Sequence, residues 1–148
     1  GAQRYHLVAS PGYIKKFGKP EFPAQLNDHK CLVYRGSSGP NRWLFRESAG
    51  SWTHYPITGL LTSNNAESLL TSALSGMGMV LFPDWLIGDS LKKGDLVRLM
   101  EGFEAAINTE PQHIAAIYPN ARHPPLNVRA VIDYFVEVYG TPLYWQFD

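Results

Sequence analysis

The sequence has one cysteine in 148 residues, no excess of either charge and no long apolar run. The single thiol, Cys31, excludes an internal disulfide and is compatible with a cytoplasmic location. With 13 basic and 13 acidic residues the formal net charge is zero, so the chain lacks the cationic surplus with which nucleic-acid-binding proteins neutralise phosphates. No stretch of about 18 apolar residues and no signal-peptide pattern occurs, so we expect no association with a membrane.

Sequence patterns of catalysis are also missing. No G-x-S-x-G, G-x-x-x-x-G-K or H-E-x-x-H motif occurs. The five histidines are scattered, without the i, i+4 pair that would hold a metal. The pair Gly76-x-Gly78 is half of a dinucleotide fingerprint, but it follows a predicted helix, whereas the fingerprint follows a strand. We therefore predict that the chain is no enzyme and holds neither metal nor cofactor.

The most informative stretch is residues 60–83, which predicts a strand, a helix, a turn and a second strand. Apolar residues recur at the spacing of one buried helical face: Ala66, Leu69, Leu70, Ala73, Leu74 and Met77. Gly76 suits a left-handed C-terminal cap, and the apolar run 79–82 predicts a strand buried on both faces. We interpret the unit as a parallel crossover, whose ligand-binding edge is the carboxyl end of the strands.

Polar side chains precede this helix. Ser63, Asn64 and Asn65 can cap it, and Glu67, three residues after Asn64, would close a capping box. The free backbone N–H groups would face the crevice at the strand ends. Ser63 and Asn64 could therefore hold an anion there, aided by the helix dipole. A plain helix cap is the alternative reading.

The rest of the chain alternates short strands and helices within one domain. Strands are predicted at residues 5–9, 31–34, 96–100 and 114–118, and a hairpin pairs 43–46 with 52–57. Helices are predicted at 12–17, near 20–26, at 84–91 with Asp84 as candidate cap, and after Pro124 and Pro125. Residues 36–41 form a predicted loop and residues 102–112 an irregular segment.

Two further groups offer ligand contacts, each with a structural alternative. Arg35, Arg42 and Arg46 surround the predicted loop and hairpin and could hold a carboxylate, or they could be solvated. Phe82 and Pro83 could wall a pocket, although an aromatic side chain on a buried strand is also a natural core residue.

Seven short motifs occur in the order found in one family. They are RYHLVASPGYI at 4–14, G-x-P at 18–20, P-x-x-L-x-x-H-x-C-L at 23–32, W-x-F at 43–45, G-x-G-x-x-x-x-P-x-W-L at 76–86, G-x-L-V at 94–97, and YP at 118–119 followed by V-R-x-x-I-D at 128–133. No motif is specific alone. Together, over residues 4–138, they resemble the effector-binding domain of bacterial LysR-type transcriptional regulators.

The resemblance implies an α/β fold. Members of the family carry an N-terminal winged helix-turn-helix and a two-lobed domain similar to type II periplasmic binding proteins, with a small effector in the cleft. This chain would supply a lobe with a mixed, mostly parallel sheet flanked by helices and a hairpin excursion. Residues 10–100 would form the second lobe, 4–9 and 114–118 the crossover strands, and 126–139 the C-terminal helix of the first lobe. The winged domain, through which alone DNA would be bound, and much of the first lobe would lie outside this chain.

The resemblance also implies site residues. Ser63, Asn64, Phe82 and Pro83 correspond to cleft-lining positions, and Ser10 lies near the hinge. An organic acid or similar small polar metabolite is the expected effector.

The last predicted helix would lose the sheet against which the family packs it. Its apolar face comprises Val128, Val131, Ile132, Phe135, Val138 and Tyr139. Exposed side chains of this size favour association. We therefore predict a homodimer in which a partner chain covers this helix.

Three functions are compatible with these observations. The first is the ligand-sensing lobe of a LysR-type regulator, which modulates DNA binding by another domain. The second is a fragment of an extracytoplasmic solute-binding protein with the same fold, disfavoured because residues 128–135 look like the regulators' final helix. The third is a small α/β enzyme, disfavoured because nucleophile, base and metal patterns are missing.

Overall fold

The computed structural model describes residues 1–119, 122 and 125–145. Within them the chain forms nine strands and four α-helices. The strands are β1 (Tyr5–Ala9), β2 (Leu32–Gly36), β3 (Gly39–Pro40), β4 (Trp43–Glu47), β5 (Thr53–Tyr55), β6 (Leu61–Ser63), β7 (Val80–Pro83), β8 (Val97–Arg98) and β9 (Phe103–Ala106). The helices are α1 (Pro11–Phe17), α2 (Ala66–Leu74), α3 (Asp84–Lys93) and α4 (Leu126–Tyr139), and a 3-10 helix spans Pro23–Asp28.

Strand β1 lies at the centre of the larger sheet, whose order is β5-β4-β9-β1-β7, with β8 also paired to β1. It runs antiparallel to β7, with Tyr5 opposite Pro83 and Val8 opposite Val80. Because successive side chains of a strand point to opposite faces, Leu7 and Val8 enter two different cores. The predicted strand at 5–9 is confirmed.

Strands β6 and β7 run in the same direction on either side of β2. Strand β2 pairs in parallel with β6, and a parallel bridge joins Cys31 to Met79 just before β7. The predicted parallel crossover from β6 through α2 to β7 is therefore confirmed, and it passes over one intervening strand. The bridge needs Gly78, because a Cβ there would lie 2.6 Å from the carbonyl oxygen of Lys30.

The described strands form two sheets, one of six strands and one of order β3-β2-β6. Their pairing is mixed, as predicted, but mostly antiparallel rather than mostly parallel. In the described part of the chain, every strand pair except β2–β6 is antiparallel. Two features cause this. Strand β1 runs against all its neighbours, and β4 pairs with β5 in the predicted hairpin and with β9 on its other side.

Two apolar cores cover the two faces of the sheet. The first lies under α1 and the 3-10 helix and includes Tyr13, Leu26 and Trp43. The second lies under α2 and α3 and includes Leu69 and Ile87. Burial of these side chains supplies most of the driving force for folding.

Two predictions for the C-terminal half are wrong. Residues 114–118 form no strand, and Ile117 is 97% exposed. The backbone pairing involves residues 112 and 114 instead. Gln3 donates its N–H to the carbonyl of Gln112 (3.0 Å), and Ile114 donates its N–H to the carbonyl of Gly1 (2.7 Å). Apolar content alone thus predicted a strand at 114–118, whereas the backbone pairing in this region is confined to residues 112–114. Conversely, the segment predicted to be irregular contains β9.

Helix α4 has the predicted bounds but buries none of its residues. Large apolar side chains on it are exposed, among them Val131, Phe135 and Val138. Its C-terminal end packs against the tail, where Tyr139 lies 5.4 Å from Trp145 between ring centroids. Pro124, predicted to precede the helix, and Phe147, in the aromatic tail, lie outside the described residues.

Candidate functional site

The C-terminal ends of β2, β6 and β7 share one edge of the sheet because the three strands are parallel. We call this the carboxyl edge, and it ends at Gly36, Ser63 and Pro83. Tyr34 is the register partner of Ser63 and lies between β6 and β7. With a strand spacing of about 4.8 Å, Ser63 and the end of β7 are about 10 Å apart. The edge is therefore a shallow wall two strand spacings wide.

The cap of α2 is shifted by one residue from the prediction. Asn65 is the N-cap, and its side-chain oxygen accepts the N–H of Ser68 at 3.0 Å. Ser63 Oγ accepts the N–H of Asn65 at 3.1 Å, which fixes the approach to the helix. The predicted capping box between Asn64 and Glu67 is consequently wrong, because Asn64 lies before the cap.

Asn64 is left as an exposed amide in front of α2. Its side chain makes no hydrogen bond among the described residues. The backbone N–H groups of Ala66 and Glu67 likewise have no acceptor in the described part of the chain. Such free donors at a helix N-terminus attract negatively charged groups.

Phe82 and Pro83 occupy different positions at the end of β7. The side chain of Phe82 is 3% exposed and packs in the second core with Leu69 and Ile87. It is therefore a core residue rather than a wall of the edge. Pro83 ends β7 as the N-cap residue of α3, and it is buried as well.

Ser10 lies at the opposite edge of the sheet. Because β1 runs antiparallel to β7, its C-terminal end points away from Pro83. Ser10 is 5% exposed, and its Oγ accepts the N–H of Tyr13 at 3.1 Å as the N-cap of α1. The structure thus separates Ser10 from the other four predicted site residues and gives it a structural role.

Asp84 was predicted to cap α3, but the N-cap residue is Pro83. Asp84 is the first residue of the helix and ties it to the chain ahead of β1. Its carboxylate accepts the N–H of Arg4 (3.2 Å) and of Trp85 (2.9 Å). Burial raises the pKa of Asp84, and these two hydrogen bonds oppose the rise. Trp85 Nε1 donates to Gln3 Oε1 at 2.7 Å. Residues 3–4, which precede β1, are therefore fixed to the end of β7.

Arg46 is already engaged. It forms two hydrogen bonds with Glu104, at 2.6 and 2.9 Å, and its guanidinium lies 4.4 Å from the ring centroid of Trp52. This geometry does not support the prediction that Arg46 could hold the carboxylate of a ligand, because its guanidinium already donates to Glu104.

A cavity of about 660 Å³ opens where β1 and β9 diverge, and sequence reasoning missed it. The two strands pair only at Tyr5 and Ala105, while β8 pairs with β1 further along. Its polar lining includes Arg4, His6, Arg46, Arg98, Glu101 and Glu104. None of the five predicted site residues lines it. We call it the β1–β9 cavity.

Other candidate chemistry is absent from the described part of the chain. No group of three or more His, Cys, Asp or Glu side chains there is arranged to hold a metal. Burial raises the pKa of Cys31 to about 12, so the thiol stays protonated and unreactive. Among the described helices, none is long and apolar enough to cross a membrane.

Comparison with known proteins identifies one family and several transcriptional regulators as similar to this chain. The family model of the LysR substrate binding domain matches residues 1–140. The HTH-type transcriptional regulator CrgA of Neisseria meningitidis serogroup B is 29% identical over 140 residues, covering 95% of this chain and 45% of CrgA. The regulator PtxR of Pseudomonas aeruginosa is 33% identical over 137 residues, covering 90% of this chain and 41% of PtxR.

Solved structures of regulators share this fold. The regulatory domain of AphB from Vibrio vulnificus matches with a TM-score of 0.75 at 27% identity, covering 93% of this chain and 66% of that chain. The chain spans less than half the length of the curated relatives that it matches.

Proposed function

We propose that this chain, which belongs to the LysR substrate-binding domain family, binds a small effector at the carboxyl edge and passes the signal to a DNA-binding domain. The family and its named relatives are transcriptional regulators rather than enzymes. No observation favours the solute-binding alternative. The observation that carries the proposed site is the exposed amide of Asn64 beside two N–H groups of α2, all three without a partner among the described residues.

The chemistry of the edge supports an organic acid as the effector. A carboxylate can accept the N–H groups of Ala66 and Glu67 and the side-chain N–H of Asn64. Ser63 fixes this approach through its bond to Asn65, and Pro83 flanks the edge at the end of β7. Phe82 and Pro83 are both buried, and we leave Ser10 out of the contact set because it caps α1 at the other edge.

The carboxyl edge forms one wall, and we propose that a second lobe supplies the other. Residues 10–100 would be the second lobe, and α4 would belong to the first lobe. Exposed apolar side chains along α4 support this assignment. The backbone pairing of residues 1–3 with 112–114 supports a crossing between lobes at that point, rather than at 114–118.

Effector binding would act on DNA indirectly. Closure of the lobes around the effector would change how the winged domains of a full-length regulator sit on DNA, with a coupling of about 1–3 kcal/mol. This proposal places the protein in the cytoplasm. Its support is that the curated relatives are HTH-type regulators and that this chain matches less than half of each.

The experiment is a thermal-shift screen of a two-lobe regulatory domain containing this chain against a panel of carboxylates. We expect at least one acid to raise the Tm of wild type more than that of Asn64→Ala, because the variant loses a donor to the ligand. Asn127→Ala, an exposed asparagine on α4, is the matched control and should behave as wild type. Equal shifts in wild type and Asn64→Ala, or no shift with any acid, would contradict the proposed site.

A further inference from the structure

The β1–β9 cavity lies where the pairing between neighbouring strands of the large sheet ends. Its volume of about 660 Å³ falls within the range of small-molecule pockets. It exists because β1 pairs with β9 only at Tyr5 and with β8 only at Val8 and Ala9. Met100, with a φ of +52°, lies in the turn between β8 and β9.

Basic side chains converge at one end of this cavity. Arg98 is the register partner of Val8, and His6 lies two residues before Val8, so both project from the same face of the sheet. Burial lowers the pKa of His6 to about 4, with further lowering by Arg98 and then Arg4, against a smaller opposite effect of Glu101. The imidazole is therefore neutral near pH 7 and keeps one N–H donor.

Arg98 retains donors for a ligand. Its contact with Glu101 is 3.7 Å long, which is beyond hydrogen-bond distance, and its side chain is 39% exposed. Arg46 differs, since Glu104 binds it at 2.6 Å. Arg98 can therefore donate hydrogen bonds to a ligand, whereas Arg46 is held by Glu104 in the wall of the cavity.

Apolar side chains line the same cavity beside this basic end. Met100 and Phe103 line it with partly buried side chains, whereas Leu99 and Phe45 belong to the first core and are 5% and 2% exposed. A ligand that fits both parts has one negative charge and an apolar body, because the basic end pairs with the charge and the apolar lining excludes water from the rest.

We propose that the β1–β9 cavity is a second ligand site of this lobe, which takes an organic carboxylate with an apolar body. The carboxylate lies against Arg98 and His6, and the apolar body lies against Met100 and Phe103. This site is separate from the carboxyl edge and does not depend on the function proposed for that edge.

Titration calorimetry of the 148-residue chain tests the proposal, with 4-phenylbutyrate as probe and its neutral amide, 4-phenylbutanamide, as the comparison. We expect the acid to bind and the amide to bind at least about tenfold more weakly. Arg98→Gln should weaken binding of the acid by a similar factor. Arg98→Lys should give an intermediate affinity, because the charge remains and the planar fork is lost.

Three further variants separate this site from other causes. Arg129→Gln removes an exposed arginine that also has an acidic partner, Asp133, at 3.9 Å on α4, so it controls for net charge and should bind as wild type. Asn64→Ala should also bind as wild type, which distinguishes this cavity from the carboxyl edge. Glu101→Gln should bind the acid more tightly because a competing negative charge is removed, a gain that misfolding cannot produce.

Several results would overturn the proposal. They are no binding of the acid at millimolar concentration, equal affinity for acid and amide, or unchanged affinity in both Arg98→Gln and Glu101→Gln. Loss of binding in Asn64→Ala would assign the probe to the carboxyl edge and would equally reject this cavity as its site.

Discussion

At the scale of single residues, His6 makes the stability of the chain depend on pH. The pKa of its imidazole falls from 6.5 to about 4 in the folded chain, first because of burial and then because of Arg98 and Arg4. Between these values the unfolded chain binds more protons than the folded chain, so stability rises with pH in this window. The contribution is complete above pH 6.5 and is lost as the pH falls toward 4.

The corresponding prediction compares His6→Gln with wild type. Between pH 7 and pH 4 the free energy of unfolding of wild type should fall by on the order of 1–3 kcal/mol more than that of the variant. This is less than the whole pKa shift would give, because the ring is partly open to water. Urea unfolding at a series of pH values measures this difference. His54→Gln, an exposed histidine of β5, should keep the wild-type pH dependence. Parallel curves for wild type and His6→Gln would contradict the prediction.

Individual residues also show where sequence reasoning stops. Ser10 follows β1 and Ser63 ends β6, each shortly before a helix, and only the antiparallel direction of β1 separates them to opposite edges. Phe82 is on a strand buried on both faces, and of the two readings that the sequence offered for it the structure supports the core residue. The β1–β9 cavity depends on where strands distant in sequence stop pairing, and no local pattern reports that.

At the scale of elements, α2 begins one residue later than its sequence pattern suggested. Asn65 caps it through Ser68, whereas Asn64 makes no such bond among the described residues. We predict that Asn65→Ala costs about 0.5–2 kcal/mol of unfolding free energy. Asn64→Ala, the neighbouring matched control, should stay within about 0.5 kcal/mol of wild type.

Chemical denaturation of the two variants checks this. A larger loss for Asn64→Ala than for Asn65→Ala would mean that Asn64 is the cap, and the free amide assigned to the carboxyl edge would then not exist. The same pair of variants therefore separates the effect of capping from the effect on ligand binding.

Elements with strong local patterns were predictable, and those defined by distant pairing were not. Strand β1, the hairpin of β4 and β5, and helices α2, α3 and α4 each follow from periodicity, caps or turn residues. Strand β9 was missed because its sequence, FEAA, has little strand propensity, and it pairs with β1 and β4 across a long separation. Residues 114–118 show the reverse, apolar content without the pairing of a strand.

At the scale of the whole molecule, α4 is an apolar helix on an otherwise well-packed lobe. Val131, Val136 and Val138 are exposed on it. In a two-lobe protein we propose that the first lobe packs against this helix, and in the 148-residue chain a second copy would take that place. Large exposed apolar patches of this kind mark interaction surfaces.

We predict that the 148-residue chain is a dimer through α4. Multi-angle light scattering at high concentration should give twice the chain mass for wild type and a shift toward monomer for Val131→Ser. Leu60→Ser, which changes an exposed leucine away from α4, should remain dimeric. A monomeric wild type at the highest concentration tested would contradict the prediction.

The most direct test of the proposed function is a calorimetric titration of the two-lobe domain with the carboxylate that gives the largest thermal shift. The proposed site at the carboxyl edge predicts that Asn64→Ala weakens the affinity about tenfold, since one hydrogen bond to a charged ligand is lost. Asn127→Ala should leave the affinity unchanged. An affinity for Asn64→Ala equal to that of wild type would show that the effector does not bind at the N-terminus of α2 and would contradict the proposed site.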